Sequence, residues 1–119
     1  MSKKKESIEE IIDNWKKQLR KGTLELAILS YIKKEAGDSY GYSLIKTFNE
    51  TGIETDGSTI YPLLRRLTKK GLIDITKKTE EQKKFFKITN TGNQVLNVLL
   101  EEWLTYYAKI NYFIKNGGM

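Results

Sequence analysis

The run at residues 57–73, GSTIYPLLRRLTKKGLI, constrains this chain more than any other, because it holds a helix start, a two-faced helix body, a glycine stop and the first residues of a strand. Ile60, Leu63, Leu64 and Leu67 recur at i, i+3, i+4 and i+7, so one face of the helix must be buried. The opposite face carries Thr59, Tyr61, Pro62, Arg65, Arg66 and Lys69, which donate hydrogen bonds and offset phosphate charge, with no acidic member. Such a surface suits DNA. Thr59 is the expected N-cap, because Pro62, which has no N–H, then falls in the first turn, where donors have no intrahelical partner. Ser58 and Thr59 are open to two roles, as caps or as ligands of a phosphate at the helix N-terminus. Gly71 ends the helix.

The flanking sequence predicts what packs around this run. From Glu6 to about Arg20, the apolar residues Ile8, Ile11, Ile12, Trp15 and Leu19 keep helical spacing, with acids early and bases late, as the helix dipole favours. Gly22-Thr23 is expected to break that helix and start another, central one built on Leu24, Leu26, Ala27, Ile28, Leu29, Tyr31 and Ile32. Asp38-Ser39-Tyr40-Gly41-Tyr42 offers a cap and a close backbone approach before a short helix with Leu44, Ile45 and Phe48, stopped by Gly52. The connection at 53–57 leaves room for a residue or two of strand. Residues 72–78 and 83–89 read as two strands, and Thr79-Glu80-Glu81-Gln82, without Gly, Asn or Pro, predicts a longer, mobile loop rather than a two-residue turn. Asn90-Thr91-Gly92 then opens a long helix with Val95, Leu96, Leu99, Leu100, Trp103, Leu104, Tyr107, Ile110, Phe113 and Ile114 on a wide face, and Gly117-Gly118 is expected to fray. That face exceeds what one small domain covers, so pairing with a second copy is expected, through Ile8, Ile11, Ile12, Trp15, Leu96, Leu99, Leu100, Trp103, Tyr107 and Ile110.

Composition excludes several functions. With no Cys and no His among 119 residues there is no disulfide frame, thiolate nucleophile, imidazole base or usual zinc ligand, so neither enzyme chemistry nor a metal or other cofactor is expected. Lys+Arg 21 against Asp+Glu 15 gives a net charge of +6, which favours an anionic partner. No apolar run approaches a membrane span, and Met1-Ser2-Lys3-Lys4-Lys5 leads into Glu6 rather than a signal-peptide core, so a cytoplasmic protein without membrane association is expected.

Short helices followed by a two-stranded wing make a winged helix-turn-helix, a mainly α fold with a small β-hairpin (α+β). Gly22-Thr23-Leu24-Glu25-Leu26, Tyr40-Gly41-Tyr42, Ser58-Thr59-Ile60-Tyr61-Pro62-Leu63-Leu64-Arg65-Arg66-Leu67, Lys70-Gly71-Leu72-Ile73 and Lys84-Phe85-Phe86-Lys87-Ile88-Thr89-Asn90-Thr91-Gly92, in this order and spacing, resemble the PadR family of transcriptional regulators, in its compact branch. The resemblance implies a homodimeric repressor on a roughly palindromic operator, released by a small, often aromatic effector. It also implies dimerisation through the C-terminal helix, helped by the N-terminal one. On this frame the chain divides into an N-terminal amphipathic helix at 1–21, a DNA-binding domain at 22–90 and a dimerisation helix at 91–119. The sequence departs from the family at Gln82-Lys83-Lys84, where Gly-Arg-Arg or Gly-Arg-Pro is common.

Arg65, one turn after Tyr61, is the best candidate for a base contact, because a guanidinium bonds guanine O6 and N7 together. Arg66 and Lys69 stand equally between DNA contact and a solvated face. Lys77, Lys78, Lys83 and Lys84 gather at the hairpin tip, either as phosphate ligands or as guards of an edge strand. Tyr40 and Tyr42 are read first as packing residues and second as phosphate contacts. Trp103, with Tyr106 and Tyr107, is read first as dimer core; together with Trp15 the resemblance makes them the effector residues. Two rivals remain, a chromosome-organising protein that binds DNA without sequence preference and a protein-binding winged helix.

Overall fold

The computed structural model describes residues 5–81 and 83–118; Gln82 and the first four residues, on which parts of the wing and leader readings fall, lie outside it. The elements are α1 (Ile8–Glu35), β1 (Ser39–Tyr40), α2 (Gly41–Glu50), α3 (Gly57–Lys69), β2 (Ile73–Lys78), β3 (Lys84–Ile88) and α4 (Asn90–Phe113), and the chain ends in a π-type turn, Ile114–Gly118. The last replaces the expected frayed tail. The strands form one antiparallel sheet in the order β1-β3-β2.

The expected break at Gly22-Thr23 is absent, and α1 runs 28 residues without interruption. A glycine inside a helix costs only about 1 kcal/mol, which packing easily offsets. Thr23 does not cap a new helix; its hydroxyl donates back to the Leu19 carbonyl at 2.8 Å. Ser7 is the true cap, accepting the Glu10 N–H at 3.1 Å. The C-terminal half of α1 supplies Leu24, Ile28, Leu29 and Ile32 to the core, where they meet Leu44 and Phe48 of α2, Ile60, Leu64 and Leu67 of α3, Ile73, Phe86 and Leu96.

Two further expectations change in the turn before α2. Ser39 is not a cap but the buried first residue of the unforeseen β1, paired with Phe86, and Tyr40 caps α2 through the Ser43 hydroxyl, which accepts its N–H at 3.1 Å. The 53–56 connection holds no strand. It is ordered instead by Asn49, whose amide donates to the Thr55 carbonyl at 2.9 Å and accepts the Thr55 N–H at 3.2 Å.

α2 and α3 end alike. After α3, Leu72 N–H returns to the Leu67 carbonyl at 3.0 Å and Gly71 N–H to Thr68 at 3.0 Å, with Gly71 in the left-handed region (φ +78°). This is the Schellman pattern that a glycine at this place predicts. The Leu72 carbonyl then accepts the Thr89 N–H at 3.0 Å, and the Thr89 hydroxyl donates to the Gly71 carbonyl at 2.6 Å, while its oxygen caps α4 by accepting the Gly92 N–H at 2.9 Å. A Cβ on Gly92 would overlap that same Leu72 carbonyl oxygen.

The N-terminal half of α1 and the C-terminal half of α4 stand away from this core. The radius of gyration is 17.5 Å, against about 13.5 Å for a compact chain of this length. Ile8, Ile11, Ile12, Trp15, Leu100, Trp103, Tyr107 and Ile110 are exposed, as an interface requires, but Leu96 is buried within the chain's own core and Leu99 packs against it. Leu96 is corrected from interface to core, because the first turns of α4 lie against α1, while Leu99 is half-buried at the edge of that contact.

Two substitutions test this frame by chemical denaturation. Ala36 holds a left-handed conformation (φ 51°) after α1, so Ala36→Gly should raise stability by about 1 kcal/mol. Gly92→Ala should lower it by about 2 kcal/mol or more, since backbone rather than a side chain must move.

Candidate nucleic-acid interface

The face of α3 turned away from the core carries Ser58, Pro62, Arg65 and Lys69, all exposed. One flank of this face opens on a groove of about 780 Å³, lined by Tyr61, Arg65, Thr68 and Lys69 of α3, by Tyr40 and Tyr42, and by Lys83 and Lys84 of the wing. The structure therefore brings Tyr61, Arg65 and Lys69 together with Lys83 and Lys84 on one concave surface, which Ser58, Thr59, Pro62, Arg66, Lys77 and Lys78 do not line. Its floor holds Leu64, Ile75 and Phe86. Thr68 and Ile75 were not singled out in the sequence, although Thr68 lies one turn beyond Arg65 and Ile75 alternates with Ile73.

Tyr61 is more firmly placed than a surface residue needs to be. Its ring leans back toward the start of its own helix, as helical side chains do, and crosses two glycines. A Cβ on Gly41 or on Gly57 would collide with it. Tyr61 remains partly exposed and lines the groove. Tyr40 and Tyr42 stack at 6.5 Å, Tyr40 packs on Phe85 at 4.9 Å, and the Lys83 ammonium lies 5.2 Å from the Tyr40 ring.

The wing cations differ among themselves. Lys77 sits over the Phe85 ring at 4.4 Å, and Lys83 is 3.5 Å from Glu81. Lys78 and Lys84 face each other directly across β2 and β3. Like charges in that position destabilise a sheet. Ile75 pairs with Phe86 and Lys77 with Phe85, so Thr76 is bulged out and its hydroxyl donates to the Gly37 carbonyl at 3.3 Å. Thr79 N–H closes the connection on the Lys83 carbonyl at 3.0 Å.

Two expectations for α3 are corrected. Its cap is Asp56, not Thr59, so Pro62 lies beyond the first turn and the Ser58 carbonyl has no donor from position 62. The carboxylate accepts the Ser58 N–H at 2.9 Å and the Ser58 hydroxyl at 2.6 Å. Ser58 is thus committed, and a carboxylate occupies the place where a phosphate was one of the two expected roles. Arg66 also has a partner, an exposed ion pair with Glu25 of α1. It tilts toward α1 instead of joining Arg65.

Residues 28–98 match the sequence pattern of the transcriptional regulator PadR-like family. The chain belongs to the PadR family. The PadR fold continues beyond that match: the PadR family transcriptional regulator of Eggerthella lenta is similar at 27% identity and a TM-score of 0.79, with 92% of this chain and 96% of that one covered. The PadR-like transcriptional regulator of Bacillus cereus is 32% identical, TM-score 0.74, over 86% and 99%. A Streptococcus transcriptional regulator is 34% identical, TM-score 0.69, over 83% and 98%. No curated protein matches the chain. As a PadR-family member the chain is a transcriptional regulator, and among its described residues no helix is long and apolar enough to cross a membrane.

The Ser58 hydroxyl, with the N–H groups of Ser58 and Thr59, holds the Asp56 carboxyl below the ordinary aspartate range. A folded-state pKa depressed in this way gives stability that is present above the unfolded value, about 3.9, and lost as pH falls through the folded one. Asp56→Ala should therefore lower the thermal midpoint near pH 7, and the gap to the parent should close as the pH drops below the carboxylate range. A gap that is the same at every pH would mean that the charge of the cap is idle.

Proposed function

We propose that this regulator is a homodimeric DNA-binding repressor, with α3 in the major groove of each half-site and the β2–β3 wing against the backbone. The observation that carries this is the single groove shared by Tyr61, Arg65, Lys69, Lys83 and Lys84. A solvated face would not need its cations gathered around an anchored tyrosine. The opposed Lys78 and Lys84 argue in the same direction, because a phosphate between them relieves a repulsion that the free wing carries. Two-fold symmetry places the half-sites about one helical turn apart.

Dimerisation follows from the exposed stripes of α1 and α4, since each Leu, Ile or Phe brought out of water contributes about 1.5–3 kcal/mol. A small aromatic effector is the accompanying reading. Trp103 and Tyr107 lie 6.1 Å apart, and Trp103 joins Leu19, Leu24, Ala27 and Ile53 around a cavity of about 480 Å³. Trp15 and Tyr106 are exposed elsewhere on the same two helices and do not line it.

Replacing both Lys83 and Lys84 by Ala should reduce the slope of log affinity against log salt by about 0.9 per lost phosphate contact; an unchanged slope refutes the wing assignment. Arg65→Ala should relax discrimination at one base pair by about 1–3 kcal/mol in a gel-shift competition. If promoter and bulk DNA compete within about tenfold of each other for the parent protein, the non-specific chromosome-organising reading is the better one. A panel of phenolic and planar cationic compounds should quench tryptophan fluorescence in the parent and not in Trp103→Phe; no quenching in the parent removes the effector reading.

A further inference from the structure

We infer that α1 carries a second phosphate-contact surface, formed by Lys17, Arg20 and Lys21, on the side of α3 opposite the wing. The inference rests on the proposed DNA-binding reading and adds residues that neither the recognition helix nor the wing contains. These three side chains line a crevice of about 860 Å³ together with Thr59, Leu63 and Arg66 of α3 and the 54–56 turn. The wing-side groove takes Tyr61, Arg65, Thr68 and Lys69 from α3. At 3.6 residues per turn the two sets lie roughly 140° apart around the helix axis. The outward face with Ser58, Pro62 and Lys69 falls between them.

That arrangement matches the shape of a major groove. A helix about 10–12 Å across fills a groove about 12 Å wide, so phosphates run along both of its flanks. The wing lysines meet one strand's backbone, and Lys17, Arg20 and Lys21 meet the other's.

The charges of the crevice support an anion. Its cations are Lys17, Arg20, Lys21 and Arg66, and its carboxylates are Glu54 and Asp56, with Glu25 nearby on Arg66. Asp56 is already engaged by Ser58. Among the described residues, Lys17, Arg20 and Lys21 form no ion pair.

The placement on α1 also keeps this surface open in a dimer. Positions 17, 20 and 21 share one face of the helix by their i, i+3, i+4 spacing, while Ile8, Ile11, Ile12, Trp15 and Leu19 fall on the opposite side. Pairing of two copies through the apolar stripe leaves the cations facing outward.

The test compares the full-length parent, a triple variant Lys17→Gln, Arg20→Gln, Lys21→Gln, a charge-keeping variant Lys17→Arg, Lys21→Arg, and the Lys83→Ala, Lys84→Ala wing variant. All are titrated, over a range of salt, with one duplex that the parent selects from fragmented genomic DNA. Circular dichroism confirms that each is folded. The triple variant should lose about 0.9 of slope for each phosphate contact removed, the wing variant should lose its own share independently, and the charge-keeping variant should match the parent. A triple variant with the parent's slope, beside a wing variant that loses slope, overturns the α1 surface and leaves the DNA-binding reading intact. A parent that selects and binds no duplex overturns both. If the triple variant keeps its slope on DNA but loses thermal stabilisation by inorganic phosphate, the crevice is a site for a free anion, and the inference also falls.

Discussion

One peptide group, that of Leu72, ties the functional parts of this protein together. Its N–H closes the end of α3 on Leu67, and its carbonyl takes the N–H of Thr89, the residue that leaves the wing and caps α4, while the Thr89 hydroxyl donates to the neighbouring Gly71 carbonyl. Gly92 lies against the Leu72 carbonyl with no room for a side chain. α3, the wing and the long C-terminal helix therefore share one reference point. Short backbone hydrogen bonds fix positions more tightly than contacts between flexible side chains. In a dimer built on α4, the separation of the two α3 helices would be set largely at this junction.

Much of the fold was legible because periodicity and glycine punctuation agree along most of the chain. Gly52 and Gly71 each mark a true helix end, and their positive φ values show why glycine stands there. Gly22 carries the same letter and ends nothing, because local sequence does not reveal that α1 is held on its far side by the core contacts of Leu24, Ile28 and Ile32. β1 was hidden for a similar reason: two residues have no period, and Ser39 becomes a strand residue only because Phe86 arrives from a distant part of the chain. Leu96 and Leu99 fit the α4 stripe so well that the sequence could not separate what α1 covers from what a second copy would cover.

The candidate site was legible as a set of residues but not as a set of partners. Tyr61, Arg65, Lys69, Lys83 and Lys84 line one groove. The commitments of Ser58 to Asp56 and of Arg66 to Glu25 depend on distances that no periodicity encodes. Exposed ion pairs of this kind contribute little to stability, typically 0–1 kcal/mol, so the tie between Arg66 and Glu25 chiefly orients a side chain. It leaves Arg65 as the arginine of α3 that faces straight out from the domain.

The seat of Tyr61 has a consequence for how such a sequence can vary. Its ring occupies the space that side chains at positions 41 and 57 would otherwise claim, and those two residues belong to different helices. The three positions are therefore not independent during sequence divergence. An alanine at either glycine position forces the Tyr61 ring out of this seat, and a smaller residue at 61 removes the steric demand for glycine at both. Relatives with another side chain at position 61 should therefore tend to differ at 41, 57 and 61 as a group.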